Sequence, residues 1–201
     1  MSTQRMAAGS PLPAPMHAVP RTPEPNELIW TGCYTADGGG HGTGIGALRA
    51  GPDGTLSWLG VAAVADSPSF LAVHPARDVV YAVGEAARTV RAYRRSGESG
   101  LAPSGPDWLA GDAACHVAVD PRGRFLVVTC WGDGQVLLYE LDDDGGISAR
   151  FAAAGSIAPG RSSRAHASLM LEDGRVMTTD LGHDLLRVWN YAPSQGLLMD
   201  H

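Results

Sequence analysis

The feature that most restricts the fold of this chain is an internal repeat with an offset of 46 residues. Residues 69–75 (SFLAVHP) align with residues 115–121 (CHVAVDP), and the match continues without a gap to Tyr93 and Tyr139. A weaker third copy starts near His166. Each copy holds short runs of β-branched and aromatic residues bounded by Gly, Pro and Asp, without helical periodicity. This repeat length, with three or four strands a unit, is typical of β-propeller blades.

The repeat divides the chain into a tail and four sheet-forming units. Residues 1–27 contain six prolines and predict a disordered tail, because this composition buries little apolar surface. Residues 28–201 predict a partial propeller with blades at about 28–64, 65–112, 113–160 and 161–201. The first blade lacks its inner strand. We expect an all-β fold of roughly three and a half four-stranded blades, whose open edges favour self-association.

Composition and charge exclude several functions. The net charge is -6, which gives no general attraction for nucleic acid or for an anionic membrane. The three cysteines lack the spacing of a zinc or redox motif, so we expect three reduced thiols. We also expect no metal and no cofactor, as the family resemblance described below implies. The glycine-rich segment 38–44 lacks the Gly-Lys-Ser/Thr ending of a phosphate loop and predicts a hairpin loop. We expect a soluble, cytoplasmic protein, since neither a membrane span nor a signal peptide is evident.

Four stretches in order carry a resemblance to a known family. They are Tyr34-Thr35 with the glycine-rich turn, residues 67–75 with 81–85, residues 116–125, and Arg164-Ala-His166 with residues 180–182. In these stretches the chain resembles the lactonase family of propellers, which includes 6-phosphogluconolactonases and carboxymuconate cyclases. The resemblance implies a seven-bladed ring, truncated here to about half. The family's Pro-His-Ala-His stands here as Ser163-Arg164-Ala165-His166, with arginine in place of one histidine.

Propeller sites form on the axis, at the ends of the inner strands and in the loops beside them. His116 and His166 lie at the starts of inner strands, and the bend after the second strand offers Glu85, Trp131 and Asp180. His166 is the candidate base, because an imidazole can activate water against a lactone carbonyl. The alternative is that His166 only ties a loop by a hydrogen bond.

The other candidates are a second acid or base and three substrate-binding residues. Arg164 lies two residues before His166, so in an extended strand both side chains share a face, and its guanidinium suits a phosphate, a carboxylate or an oxyanion. Glu85 suits a second acid or base, or a partner of sugar hydroxyls, unless it is an ordinary turn carboxylate. His116 and Asp180 are candidates for substrate binding, with a structural histidine and a turn cap as the alternatives.

The resemblance implies a metal-free hydrolase acting on 6-phosphogluconolactone or a related sugar lactone, in carbohydrate metabolism. Its small-molecule partner would be that lactone. A lactone-forming carboxymuconate-type cyclase is the first alternative. The second is a non-catalytic propeller fragment or binding module, because the fold alone does not choose among these functions.

Overall fold

The computed structural model describes residues 27–154 and 161–200. Apart from Glu27, the predicted tail at residues 1–27 lies outside the described residues. Within these ranges the regular structure consists of a short 3-10 helix at Ala36–Gly38 and fifteen strands. The strands are β1 (Leu28–Thr31), β2 (Gly44–Ala50), β3 (Leu56–Val64), β4 (Phe70–Val73), β5 (Val79–Gly84), β6 (Thr89–Ser96), β7 (Gly100–Leu109), β8 (Ala114–Val119), β9 (Phe125–Cys130), β10 (Val136–Leu141), β11 (Ile147–Ala152), β12 (Ala165–Met170), β13 (Val176–Asp180), β14 (Leu185–Ala192) and β15 (Gly196–Met199).

These strands form four antiparallel sheets, each built from strands that follow one another in the chain. The first sheet has three strands, in the order β1-β2-β3, and the next three have four strands each. In those three, β4, β8 and β12 are the inner strands, and β5, β9 and β13 the second strands. The predicted all-β fold of incomplete propeller blades is therefore confirmed, including the missing inner strand of the first blade. Within the described residues the sheets do not close into a ring.

The core consists of three apolar layers, one between each pair of successive sheets. In the second and third sheets the second strands, β5 and β9, carry this packing because both of their faces are covered. Along β9, Leu126 and Val128 pack toward the second sheet, whereas Phe125 and Val127 pack toward the fourth. All six residues of β9 are buried, which suits its run of β-branched and apolar side chains. Each such side chain contributes about 1.5–3 kcal/mol by leaving water.

Two buried tyrosines also join neighbouring sheets through their hydroxyl groups. Tyr81 donates to the carbonyl of Gly145 at 2.7 Å, and Tyr139 donates to the carbonyl of Leu109 at 2.7 Å. Both bonds run between the second and third sheets. Because a buried hydroxyl needs a partner, these bonds fix how the two sheets lie relative to each other.

The outward faces of the first and fourth sheets carry exposed apolar side chains. Trp58 and Val61 are exposed on the first sheet, and Leu169 and Leu186 are exposed on the fourth. The self-association expected from open blade edges stays a prediction. Among the helices in the described part of the chain, none has the length and apolar character needed to cross a membrane.

Candidate active site

The same backbone hydrogen bond recurs at one end of the second, third and fourth sheets. The residue that follows the second strand donates its N–H to a carbonyl shortly before the inner strand. The bonds are Glu85 N to Ser67 O at 3.2 Å, Trp131 N to Ala113 O at 2.9 Å, and Leu181 N to Arg164 O at 3.0 Å. Positions 85, 131 and 181 are therefore equivalent. Since propeller blades are related by rotation about one axis, this end of the sheets gathers their side chains around that axis.

This equivalence corrects the predicted position of Asp180. Asp180 is not a bend residue like Glu85 and Trp131, because it is the last residue of β13 and Leu181 occupies the bend. Its carboxylate is buried, with 1% of the side chain exposed. It belongs to the interior of the fourth sheet, next to the site.

Asp180 holds the start of the fourth sheet through both carboxylate oxygens. Oδ1 accepts the main-chain N–H groups of Arg164 at 2.8 Å and Gly182 at 3.0 Å. Oδ2 accepts the Ser163 hydroxyl at 2.6 Å and the Arg187 guanidinium at 2.7 Å. Burial alone would raise the pKa of Asp180, but these hydrogen bonds outweigh it and hold the pKa well below its usual value. The contacts make Asp180 a residue that positions Arg164.

Glu85 pairs with a tyrosine from the first sheet. The hydroxyl of Tyr34 donates to Oε2 of Glu85 at 2.8 Å. This hydrogen bond, assisted by burial and by the negative charge of Glu85, raises the pKa of Tyr34 above its usual value. The phenol therefore stays protonated near neutral pH. Glu85 is half-buried, and 48% of Tyr34 is exposed, so the pair faces solvent at the axial end.

Cys115 connects the residues of the third sheet with those of the fourth. Its sulfur lies 3.5 Å from the carbonyl oxygen of His166 and 3.7 Å from that of Thr129. The Trp131 backbone and the charge of Glu85 also act on this thiol. Burial raises the pKa of Cys115, so the thiol remains protonated. It is a packing group between the third and fourth sheets and a poor nucleophile.

Arg164 lies against the bend of the third sheet. Its guanidinium carbon is 4.5 Å from the centre of the Trp131 ring, and Nη1 donates to the carbonyl of Trp131 at 3.1 Å and to that of Gly132. Strand β12 begins only at Ala165, and its register is irregular between Ala165 and Ser168. Arg164 therefore lies just before the strand, and the shared face expected for Arg164 and His166 stays a prediction. Trp131 itself is 45% exposed and presents an aromatic surface beside this cation.

The two candidate histidines lie near each other but in different environments. His116 stacks on Phe70 with ring centres 4.2 Å apart, and its Nδ1 lies 3.2 Å from the Ser168 hydroxyl. Ser168 N–H donates to the same nitrogen at 3.4 Å. Burial lowers the pKa of His116 to about 4, and the nearby His166 acts in the same direction. His116 is thus a neutral, half-buried residue, whereas His166 is exposed.

Sequence reasoning missed Tyr34 as a site residue. The motif Tyr34-Thr35 was visible, but its partner Glu85 is 51 residues away and belongs to the next sheet. Only the packing of the first sheet on the second brings the two together. In the described ranges no group of three His, Cys, Asp or Glu side chains is arranged to hold a metal ion.

Successive antiparallel sheets, with polar side chains gathered at one axial end, define this protein as a β-propeller with a candidate small-molecule site. A family model described as a lactonase, 7-bladed beta-propeller, matches residues 28–200. The chain therefore belongs to the lactonase family of seven-bladed β-propellers.

Known relatives agree with this assignment. The chain is 25% identical to a 6-phosphogluconolactonase of Bacillus subtilis over 154 residues, which is 72% of this chain and 44% of that protein. A periplasmic gluconolactonase of Pseudomonas aeruginosa is 25% identical with a TM-score of 0.70, covering 85% of this chain and 52% of the other. A protein from Lactobacillus plantarum has the same fold, with 21% identity, a TM-score of 0.73, and coverage of 88% and 52%. The chain spans about half the length of these relatives.

Proposed function

We propose that this chain takes part in the hydrolysis of a sugar lactone, with 6-phosphogluconolactone as the first candidate substrate. The observation that carries the proposal is that Cys115 lies against the main chain of His166 and the bend at Trp131, which holds the guanidinium of Arg164, and within the field of the Glu85 carboxylate, in a member of the lactonase family. The lactonases named among its relatives support the same chemistry. The residues proposed to act at the carbonyl are His166 and Arg164, and Glu85 is proposed beside them as a second acid or base or as a partner of the sugar hydroxyls.

The reaction adds water to the lactone carbonyl and opens the ring. The imidazole of His166 takes a proton from water as the water oxygen bonds to the carbonyl carbon. The carbonyl oxygen then carries a negative charge, which the guanidinium of Arg164 stabilises. When this intermediate collapses, the bond between the carbonyl carbon and the ring oxygen breaks, and His166 returns its proton to that oxygen. The product is an open-chain hydroxy acid.

The fixed position of Arg164 supports its part in this scheme. Its main-chain N–H is held by Asp180, and its guanidinium is held on Trp131 and on two carbonyl groups. A guanidinium has five N–H donors, so donors remain for an oxyanion after these bonds are made. A cation that is held before the reaction starts stabilises developing charge without reorganising.

Hydrolysis assays with matched variants test this proposal. The wild type and His166→Ala are compared on 6-phosphogluconolactone and glucono-δ-lactone, after subtraction of the spontaneous rate. Because His166 is exposed, the substitution leaves the core intact. Loss of general-base catalysis should lower kcat by about 100-fold or more. A wild-type rate equal to that of His166→Ala on both substrates would rule the proposal out.

A further inference from the structure

An exposed tyrosine is held unusually firmly at the axial end of the first sheet. The glycine-rich loop folds back on Tyr34, and Gly42 N–H donates to its carbonyl at 3.0 Å. A Cβ at Gly40 would lie 2.1 Å from the Tyr34 carbonyl oxygen, and one at Gly38 would lie 2.9 Å from the Tyr34 ring. Only glycine lets the loop close this tightly. The segment that resembles a phosphate loop in composition therefore serves to seat Tyr34.

A network of hydrogen bonds also connects the backbone next to Tyr34 with the backbone of Glu85. Thr35 N–H donates to the Ser67 hydroxyl at 3.2 Å, and Ser67 N–H donates to the Thr35 hydroxyl at 2.9 Å. The Asp37 carboxylate accepts hydrogen bonds from both hydroxyl groups, and these two bonds lower the pKa of Asp37. The carbonyl of Ser67 in turn accepts the Glu85 N–H at 3.2 Å. The phenol and the carboxylate are thus fixed to the same junction between the first two sheets.

The hydrogen bond between Tyr34 and Glu85 determines which kind of ligand group can bind to this pair. The only proton on the Tyr34 hydroxyl is donated to Oε2 of Glu85, which leaves the Oη lone pairs free to accept. Oε1 of Glu85 accepts no hydrogen bond from the residues that the structure describes. Both free positions are therefore acceptors. A hydroxyl group can donate to them, whereas a phosphate or carboxylate would meet a negative charge and no donor.

We propose that Tyr34 and Glu85 form a subsite that recognises neighbouring hydroxyl groups of the substrate, which makes the substrate a polyhydroxylated lactone bound by its sugar hydroxyls. The inference rests on the proposed function, lactone hydrolysis. Its specificity-determining residue is Tyr34. One hydroxyl donates to Tyr34 Oη and its neighbour donates to Glu85 Oε1. Any phosphate or carboxylate of the substrate then lies away from this pair, toward the Arg164 side of the site.

The test measures binding of lactams, which resemble lactones but resist hydrolysis. The probes are gluconolactam, which carries the sugar hydroxyls, and δ-valerolactam, which has none. Dissociation constants are measured by calorimetry for the wild type and for Tyr34→Phe, which removes only an exposed hydroxyl. Tyr191→Phe is the matched control, because the Tyr191 hydroxyl also donates to a glutamate, Glu140 Oε1 at 3.2 Å, on β14 and β10.

The expected result is selective for the hydroxylated probe. Tyr34→Phe should raise the Kd of gluconolactam about tenfold and leave that of δ-valerolactam unchanged, whereas Tyr191→Phe should change neither. The inference is overturned if the wild type binds gluconolactam no more tightly than δ-valerolactam. It is also overturned if Tyr34→Phe binds gluconolactam like the wild type, or weakens both lactams equally. Gluconolactam binding that depends on Tyr34, without any lactone hydrolysis, would reject the proposed function and leave this subsite standing.

Discussion

Replacement of Asp180 by asparagine tests how the fourth sheet is held at the site. The substitution keeps the shape of the side chain, and its remaining oxygen can still accept the Arg164 and Gly182 N–H groups that now bond Oδ1. The changed atom is Oδ2, which becomes an NH₂ group facing Ser163, Arg187 and the imidazole Nδ1 of His183, which lies 3.1 Å away. Asp180→Asn therefore removes the charge and its ion pair but leaves the main-chain turn.

The expected loss of stability follows from the burial of the ion pair. The side chain of Asp180 is 1% exposed and that of Arg187 is 9% exposed, so the guanidinium would lose its counter-ion in a largely buried site. Removal of one partner from a buried pair costs 3–5 kcal/mol. Because asparagine keeps the bonds to Oδ1, we expect the lower end, about 3 kcal/mol. With a urea m-value near 2 kcal/mol/M, the midpoint should fall by roughly 1.5 M.

Urea titration of the wild type and the variant, followed by Trp fluorescence, measures this difference. Asp173→Asn is the control, because Asp173 pairs with Arg175 at an exposed turn of the same sheet. A surface pair of this kind contributes little, so the control should unfold close to the wild type. If Asp180→Asn shifts the midpoint no more than Asp173→Asn does, the buried pair is not a major support of the sheet.

The pH dependence supplies a second check on Asp180. Its pKa is lowered in the folded protein, so the unfolded chain takes up a proton first as the pH falls below about 4. The contribution of Asp180 is therefore complete at neutral pH and declines on acidification. The difference in the free energy of unfolding between the wild type and Asp180→Asn should decrease below about pH 4. A gap that widens with acid would contradict this account.

Two further predictions follow from the site. The pKa of His116 is about 4 in the folded protein, below its unfolded value of about 6.5, so wild-type stability should decline as the pH falls through that window. The Tm of His116→Gln should therefore change less with pH across the same range. An equal change of Tm with pH in both proteins would contradict this prediction. Gly40→Ala should displace Tyr34 and weaken gluconolactam binding at least as much as Tyr34→Phe does, because its Cβ would overlap the Tyr34 carbonyl. Wild-type affinity in Gly40→Ala would show that the loop does not seat Tyr34.

The blades could be predicted from the sequence because equivalent strands of successive blades recur at a regular spacing along the chain. The second strands of the second and third sheets are covered on both faces, so Val79 and Phe125, one repeat apart, start equivalent buried strands. The repeat also predicts the three-stranded first sheet, since residues 28–64 supply no inner strand. Spacing alone sufficed here because every unit repeats the same order of neighbouring strands.

The site was harder to predict because its contacts run between blades. The pairing of Tyr34 with Glu85 depends on how two sheets pack, and no local pattern reports that. The error at Asp180 was one residue, which in a strand changes the face on which a side chain lies. The backbone bond of Leu181 to Arg164 reveals the true register, and this bond is a feature of structure and not of composition.

The recurring bend explains why the chemistry of this end varies while its geometry does not. The bend is held by main-chain atoms, so the same position can carry a carboxylate at Glu85, an indole at Trp131 and an apolar group at Leu181. Two of these bends also contact a polar side chain of an adjacent sheet, the phenol of Tyr34 at Glu85 and the guanidinium of Arg164 at Trp131. Adjacent sheets therefore create an acceptor subsite and a cationic subsite from one repeated backbone. Selectivity for a ligand should depend on these cross-blade pairs more than on any single blade.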